Sequence, residues 1–200
     1  LERLGLKIVY VDIKVLHVGY EDDEVLRRKI ERNIPLLEKE LARRPDSVFA
    51  KFNLSIAYNQ AGEKARAAEM WREMIAIARE RKVELWIYAY ARFYLAQHCR
   101  EQGQLGEASE ILEELVRYDP QFIWGRLELG SVYFGEQRYE DALEQFLAAE
   151  EIGFGCRMNF LPADMKFTEY SFRWQIARCY EKLGELEKAE AQFQKALQIP

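Results

Sequence analysis

The sequence predicts an all-α solenoid of stacked helical hairpins with a short β segment ahead of it. A frame of small and bulky residues recurs four times along the chain, and a glycine or its substitute punctuates each recurrence at the same offset. Only residues 6–18 alternate and concentrate β-branched side chains in the manner of strands.

The first unit starts at Val48 and reads Leu54-Ser55-x-x-Tyr58-x-x-x-Gly62, followed by Ala67, Trp71 and Met74. Bulky groups fall on one helical face, a glycine turns the chain, and a second such face follows. From Ala89 the frame reads Leu95-Ala96-x-x-Cys99-x-x-x-Gly103, then Ala108, Leu112 and Leu115, with Pro120 stopping the second helix. From Ile123 it reads Leu129-Gly130-x-x-Tyr133-x-x-x-Gln137, then Tyr139, Ala142, Phe146 and Ala149. From Tyr170 it reads Ile176-Ala177-x-x-Tyr180-x-x-x-Gly184, then Leu186, Ala189, Phe193 and Ala196. Small residues mark where two helices approach closely, and the rings and leucines fill the gaps beside them.

These residues resemble the tetratricopeptide repeat (TPR), a helix–turn–helix unit of about 34 residues. The resemblance implies a right-handed superhelix, an alpha-alpha solenoid, with TPR-like repeats at 48–82, 89–122, 123–156 and 170–200. The pattern departs in places. The aromatic usual near the start of the first helix is displaced by one residue, giving Phe52, Phe93 and Trp174 beside Lys51, Arg92 and Arg173, and Gln137 replaces a turn glycine.

Repeat phase locates two insertions. Gly62 to Gly103 is 41 residues and Gln137 to Gly184 is 47, against about 34 for a regular unit. The first excess falls in Arg79 to Leu85 and is expected to lengthen the helices it joins. The second lies around 153–169, a loop by Gly153, Gly155 and Pro162 that nevertheless carries Phe154, Met158, Phe160 and Leu161.

Upstream, residues 21–47 are expected to form capping helices. Pro35 opens one that carries Leu36, Leu37 and Leu41, and Pro45 ends it. The stretch from Asp22 to Arg32 puts acids first and Arg27, Arg28 and Lys29 later, the order that complements a helix dipole. No polar helix follows Leu197, so the C-terminal end is expected to be covered by further chain or by another copy.

Residues 1–20 read as the strand-forming remnant of a preceding domain. The run Val15-Leu16-His17-Val18-Gly19-Tyr20, with Lys29-Ile30-x-Arg32-Asn33 and Leu36-Leu37, resembles the end of a family 2 glycosyltransferase catalytic domain joined to TPR repeats. The resemblance implies that His17, in the parent, helps hold the divalent cation (Mg or Mn) that carries a sugar-nucleotide diphosphate. The Asp-x-Asp pair of that family has no counterpart here, and Asp22-Asp23 does not replace it. The fragment is therefore expected to need no cofactor and to have no catalytic residues. The chain starts at Leu1 and is expected to be an excerpt from a longer protein.

Composition bounds the rest. With 49% hydrophobic and 32% charged residues the chain is core-forming, which excludes disordered and collagen-like classes. The 29 basic residues against 34 acidic ones, net −5, leave no basic stripe for nucleic acid. No run approaches the roughly 18 apolar residues of a membrane span. Cys99, Cys156 and Cys179 are odd in number and irregularly spaced, which argues for a reducing compartment, the cytoplasm. Cys99 and Cys179 sit at helix positions expected to be buried and inert, His98 on a repeat helix is expected to pack, and Cys156 in the loop is the one plausible reactive thiol.

What remains is surface. In stacked repeats the first helix of each unit lines the concave side, and the frame places Phe49, Phe52, Tyr90, Phe93, Tyr94, Trp124, Phe134 and Trp174 near it, with Gln97, Glu128 and Arg178 among them. About half of these rings are expected to pack between units or under the second insertion. The others form a groove for a protein or peptide, because aromatic anchors bury large area at modest entropy cost. The lysine and asparagine set with which some TPR proteins hold a C-terminal carboxylate has no counterpart. The leading expectation is thus a TPR protein-interaction scaffold, the non-catalytic C-terminal module of a family 2 glycosyltransferase that binds an acceptor polypeptide. The alternative is a glycan- or nucleotide-sugar-binding unit with transferase function of its own. Homodimerisation through the N-terminal strand edge or the uncapped C-terminal end is a further expectation.

Overall fold

The structure, a computed structural model, describes residues 23–81, 86–153 and 165–198. Those residues form nine helices and no strand: α1 (Asp23–Arg43), α2 (Val48–Gln60), α3 (Lys64–Arg81), α4 (Trp86–Glu101), α5 (Leu105–Tyr118), α6 (Ile123–Gly135), α7 (Tyr139–Ile152), α8 (Met165–Lys182) and α9 (Leu186–Leu197). Every helix packs on the next one in the chain. Beyond these neighbours, the described residues pair only α2 with α4, α4 with α6 and α6 with α8. The second helices of successive hairpins do not touch, so the stack is fanned open on their side. The arc therefore closes on α2, α4, α6 and α8, which line its concave face.

Each hairpin turns by the same device. Gly62, Gly103 and Gly184 have φ of +83°, +75° and +79°, and the amide of the residue after each donates a 2.9 Å bond to the carbonyl of Tyr58, Cys99 or Tyr180. This is the six-to-one bond of a Schellman cap, which requires a left-handed residue. Gln137 adopts φ +63° at the same place, with Arg138 N bonded to Tyr133 O at 2.9 Å, so the turn survives the loss of glycine.

The interior is a continuous column of Trp71, Met74, Leu112, Leu115, Val132, Phe146 and Ile176, all fully buried. The small residues of the frame are buried with them. At Gly130 a Cβ would meet the Phe146 ring at 2.6 Å, so the absence of a side chain is what lets α6 and α7 close.

Three boundaries differ from the sequence reading. Pro35 does not open a helix: α1 runs through it from Asp23 to Arg43. The proline removes a bond to the Glu31 carbonyl, but both residues are exposed and water can satisfy that oxygen. The first insertion lengthens both helices it joins, so that α4 begins at Trp86, a turn before the Ala89 at which the repeat frame starts. Helix α8 begins at Met165, within the stretch read as a loop. The strand-forming segment 1–20 with His17, and Cys156 in the second insertion, lie outside the described residues.

Candidate functional site: the concave aromatic face

Where Trp would usually stand near the start of each first helix, the chain places a cation that pairs with another helix. Lys51 Nζ lies 3.1 Å from Glu73, Arg92 Nη2 3.2 Å from Glu114 and Arg173 Nη1 2.9 Å from Glu150. In α2 and α4 the aromatic side chain, shifted by one residue, faces the neighbouring unit instead. Phe52 thus meets Trp86 edge-on at 5.7 Å and Tyr90 at 6.3 Å, and Phe93 meets Phe122 at 5.9 Å.

The structure divides the predicted groove residues by depth. Tyr90 and Phe93 are buried, and Tyr94 stacks on Trp71 at 5.4 Å and 17°. These rings weld α2–α3 to α4. Burial pushes the Tyr94 phenol up to about 12, helped by Tyr90, and raises that of Tyr90 as well, so both remain neutral at ordinary pH. Glu128 is buried and accepts from Arg100 Nε at 2.5 Å and Gln97 Nε2 at 3.4 Å, which makes these three one neutralised cluster. Trp174 packs on Phe193 at 4.9 Å, towards the C-terminal end of the stack.

Phe49 and Trp86 remain open, at 60% and 46% exposure, at the N-terminal ends of α2 and α4. Phe52 and Tyr90 lie beneath Trp86, with Trp86 against Phe52 at 5.7 Å and Tyr90 at 5.9 Å, and Phe122 against Tyr90 at 5.1 Å. Trp86, Phe52, Tyr90 and Phe122 thus form one aromatic cluster, solvent-facing at Trp86 and anchored in the core at Tyr90. Further along the arc, the Arg178 guanidinium lies 4.9 Å from the Phe134 ring centre, and Gln175 Nε2 donates to Ser131 Oγ at 3.3 Å. Trp124 is half-buried with an indole N–H that has no acceptor among the described residues. Arg178 has no carboxylate partner among the described residues.

Sequence reasoning missed Trp86, because it falls between the insertion at Arg79 to Leu85 and the start of the repeat frame at Ala89. The signal was present: Trp86, Tyr90 and Phe93 are spaced four and three residues apart, the period of one helix face. Elsewhere Cys99 and Cys179 are buried free thiols, raised to about 11 and 12 chiefly by burial, values that suppress thiolate chemistry. His98 is half-buried on α4 and its Nδ1 lacks a partner among the described residues. No group of three or more His, Cys, Asp or Glu among the described residues is placed to hold a metal ion. No described helix is long and apolar enough to cross a membrane.

Two stretches, residues 95–153 and 170–200, match models of the tetratricopeptide repeat. The chain carries TPR repeats. Its fold is that of solved TPR structures. The crystal structure of MamA is 18% identical with a TM-score of 0.67, covering 92% of this chain and 95% of that one. A MamA RS-1 double mutant is 16% identical with a TM-score of 0.70, covering 88% of each chain. A Podosopora anserina protein assigned as a kinesin light chain, with nearly identical TPR-like repeats, is 19% identical with a TM-score of 0.64, covering 88% of this chain and 92% of that one. At these identities the likeness shows the fold alone. No curated protein sequence matches the chain significantly.

Proposed function

We propose that this TPR array is a protein-interaction scaffold that takes a peptide or protein segment on the concave face of α2, α4, α6 and α8. The observation that carries the reading is Trp86, 46% exposed and held edge-on against Phe52 and Tyr90, with Phe49 60% exposed one turn before Phe52 on α2. Large rings held on rigid helices lose little entropy when a ligand covers them, which is what a binding hot spot requires. A peptide-array screen of the wild type against Phe49→Ser and Trp86→Ala tests it. Loss of the bound sequences in both variants is expected, and unchanged profiles would remove the groove as the site.

The finer reading makes the chain the non-catalytic module of a family 2 glycosyltransferase that presents an acceptor polypeptide in the cytoplasm. It rests on the resemblance at Val15 to Tyr20, outside the described residues, and on thiols at Cys99 and Cys179 that suit a reducing compartment. In that reading the nucleotide site, with any Mg or Mn at His17, belongs to the parent. Isothermal titration of this chain with Mn²⁺ and a sugar nucleotide is expected to give no heat of binding. Clear binding would favour the alternative, a nucleotide-sugar- or glycan-binding unit.

A further inference from the structure

The two layers of the arc differ in charge. The inner helices α2, α4, α6 and α8 carry eight Lys and Arg against four Glu, net +4. The outer helices α3, α5, α7 and α9 carry eight Lys and Arg against fourteen Asp and Glu, net −6. An acidic ligand is therefore repelled by the outer layer and drawn to the inner one. Most of the inner cations are already engaged. Lys51, Arg92 and Arg173 pair with outer-layer glutamates, Arg126 donates to Gln145 and to the Pro120 carbonyl, and Arg100 neutralises Glu128. Arg178 differs from them: its side chain is exposed, it has no hydrogen-bond acceptor or carboxylate among the described residues, and it rests on the Phe134 ring at 4.9 Å. Phe134 is braced in turn by Tyr139 at 5.2 Å. Three residues earlier on each helix, Gln175 donates to Ser131 at 3.3 Å, so α6 and α8 are tied together beside this cation.

Resting on the scaffold reading above, we propose that the concave face takes a partner-protein segment that brings an Asp or Glu side chain to Arg178 and a large apolar or aromatic one to Trp86. A guanidinium laid on a ring keeps its in-plane N–H donors for a carboxylate and has less freedom left to lose when the carboxylate arrives. Trp86 supplies the apolar end, 46% exposed against Phe52 and Tyr90. Helices α4 and α8 are two interhelical steps apart, each of about 8–10 Å, so at least about five extended residues separate the two anchors on the ligand. The acid is a side chain and not a chain terminus, since the lysine and asparagine set that holds a terminal carboxylate is absent. Charge also orients the choice of face: the same segment laid on α5 or α7 would meet four and five acidic side chains against one cation and none.

An array of random dodecapeptides blocked at both ends, so that every carboxylate is a side chain, tests the pairing. The sequences captured by the wild type should be enriched in Asp or Glu at a fixed distance from an aromatic or large apolar residue, and Arg178→Glu should instead select sequences bearing Lys or Arg. For the best-bound dodecapeptide, Arg178→Gln and replacement of the acid by its amide should each weaken binding by about tenfold in fluorescence anisotropy. The two changes together should cost no more than either alone, because they remove the same contact. Arg178 is exposed, so its variants should keep the far-ultraviolet circular dichroism of the wild type. Captured sequences without acid enrichment, an unchanged profile in Arg178→Glu, or additive losses overturn the proposal and leave the scaffold reading in place as long as Trp86→Ala abolishes capture. Capture of unblocked peptides alone also overturns it, in favour of a terminal carboxylate. No captured sequence, or capture indifferent to Trp86→Ala, overturns both.

Discussion

The Tyr133 hydroxyl donates a 2.8 Å hydrogen bond to Glu113 Oε1, a residue of the preceding hairpin twenty positions earlier. Tyr58 repeats the contact with Glu38 at 2.6 Å, again across twenty positions. In each case an arginine, Arg138 or Arg66, lies 3.9 Å over the tyrosine ring. The second half of α1 thus stands to α2 as α5 stands to α6, and it serves as the second helix of a preceding unit.

Alkaline pH should weaken these latches. Burial first, then the bonds to Glu38 and Glu113, push the Tyr58 and Tyr133 phenols up to about 12, from about 10 in the unfolded chain. A raised folded value means the fold holds the proton more tightly, so the stabilisation is complete below pH ~10 and is lost as pH rises towards ~12. Urea midpoints should fall across that window, and the fall should be shallower in Tyr58→Phe/Tyr133→Phe. At neutral pH each single change should cost about 1 kcal/mol.

Gly130→Ala should destabilise despite the better helix propensity of alanine. Its Cβ would lie 2.6 Å from the fully buried Phe146 ring, an overpacking cost of about 1–3 kcal/mol against a propensity gain of about 1 kcal/mol. Thermal unfolding of Gly130→Ala, Phe146→Leu and the double variant should show coupling, with the double variant losing less than the sum of the two.

Gln137→Gly should stabilise. The left-handed φ of +63° strains a side-chain-bearing residue by roughly 1–2 kcal/mol, and glycine removes that strain while giving back about half of it in chain entropy. Conversely, Gly103→Ala should cost about 1 kcal/mol although its Cβ would touch nothing within 4 Å. Denaturant titration of both variants separates a conformational cost from a packing one.

Glu114 neutralises Arg92, which is only 1% exposed, and also pairs with Arg79. Glu114→Ala should cost on the order of 3 kcal/mol by leaving a buried charge alone, while Arg92→Met should cost less. The Arg79 guanidinium first, then Arg92, holds the Glu114 carboxyl below its usual value of 4.5. That contribution is present above the usual value and disappears as pH falls through the lowered one. Acid titration of stability should lose this component in Glu114→Gln.

Phe49→Ser should change stability by less than about 0.5 kcal/mol, since the ring is mostly in water. If it nonetheless abolishes capture of array peptides, the ring serves binding and not folding.

The hairpins were legible because their cause is local and periodic. A helix face demands bulky groups at fixed spacing, a Schellman turn demands a left-handed residue, and close-packed helices demand small ones. These demands recur at Leu54, Leu95, Leu129 and Ile176 and at Gly62, Gly103 and Gly184. Composition likewise settled that the chain builds a packed interior. Depth was not legible. Phe49 and Tyr90 hold the same place in the repeat frame, five residues before Leu54 and Leu95, yet one is open and the other buried, because burial depends on what the neighbouring unit brings over each ring. Helix ends were obscured for a related reason: Pro35 is accommodated where its orphaned carbonyl meets water, and Trp86 joins α4 because Phe52 and Tyr90 wait beneath it. Repeat spacing is written along the chain, whereas exposure is a property of what stands next to what, and only the stacked helices decide it.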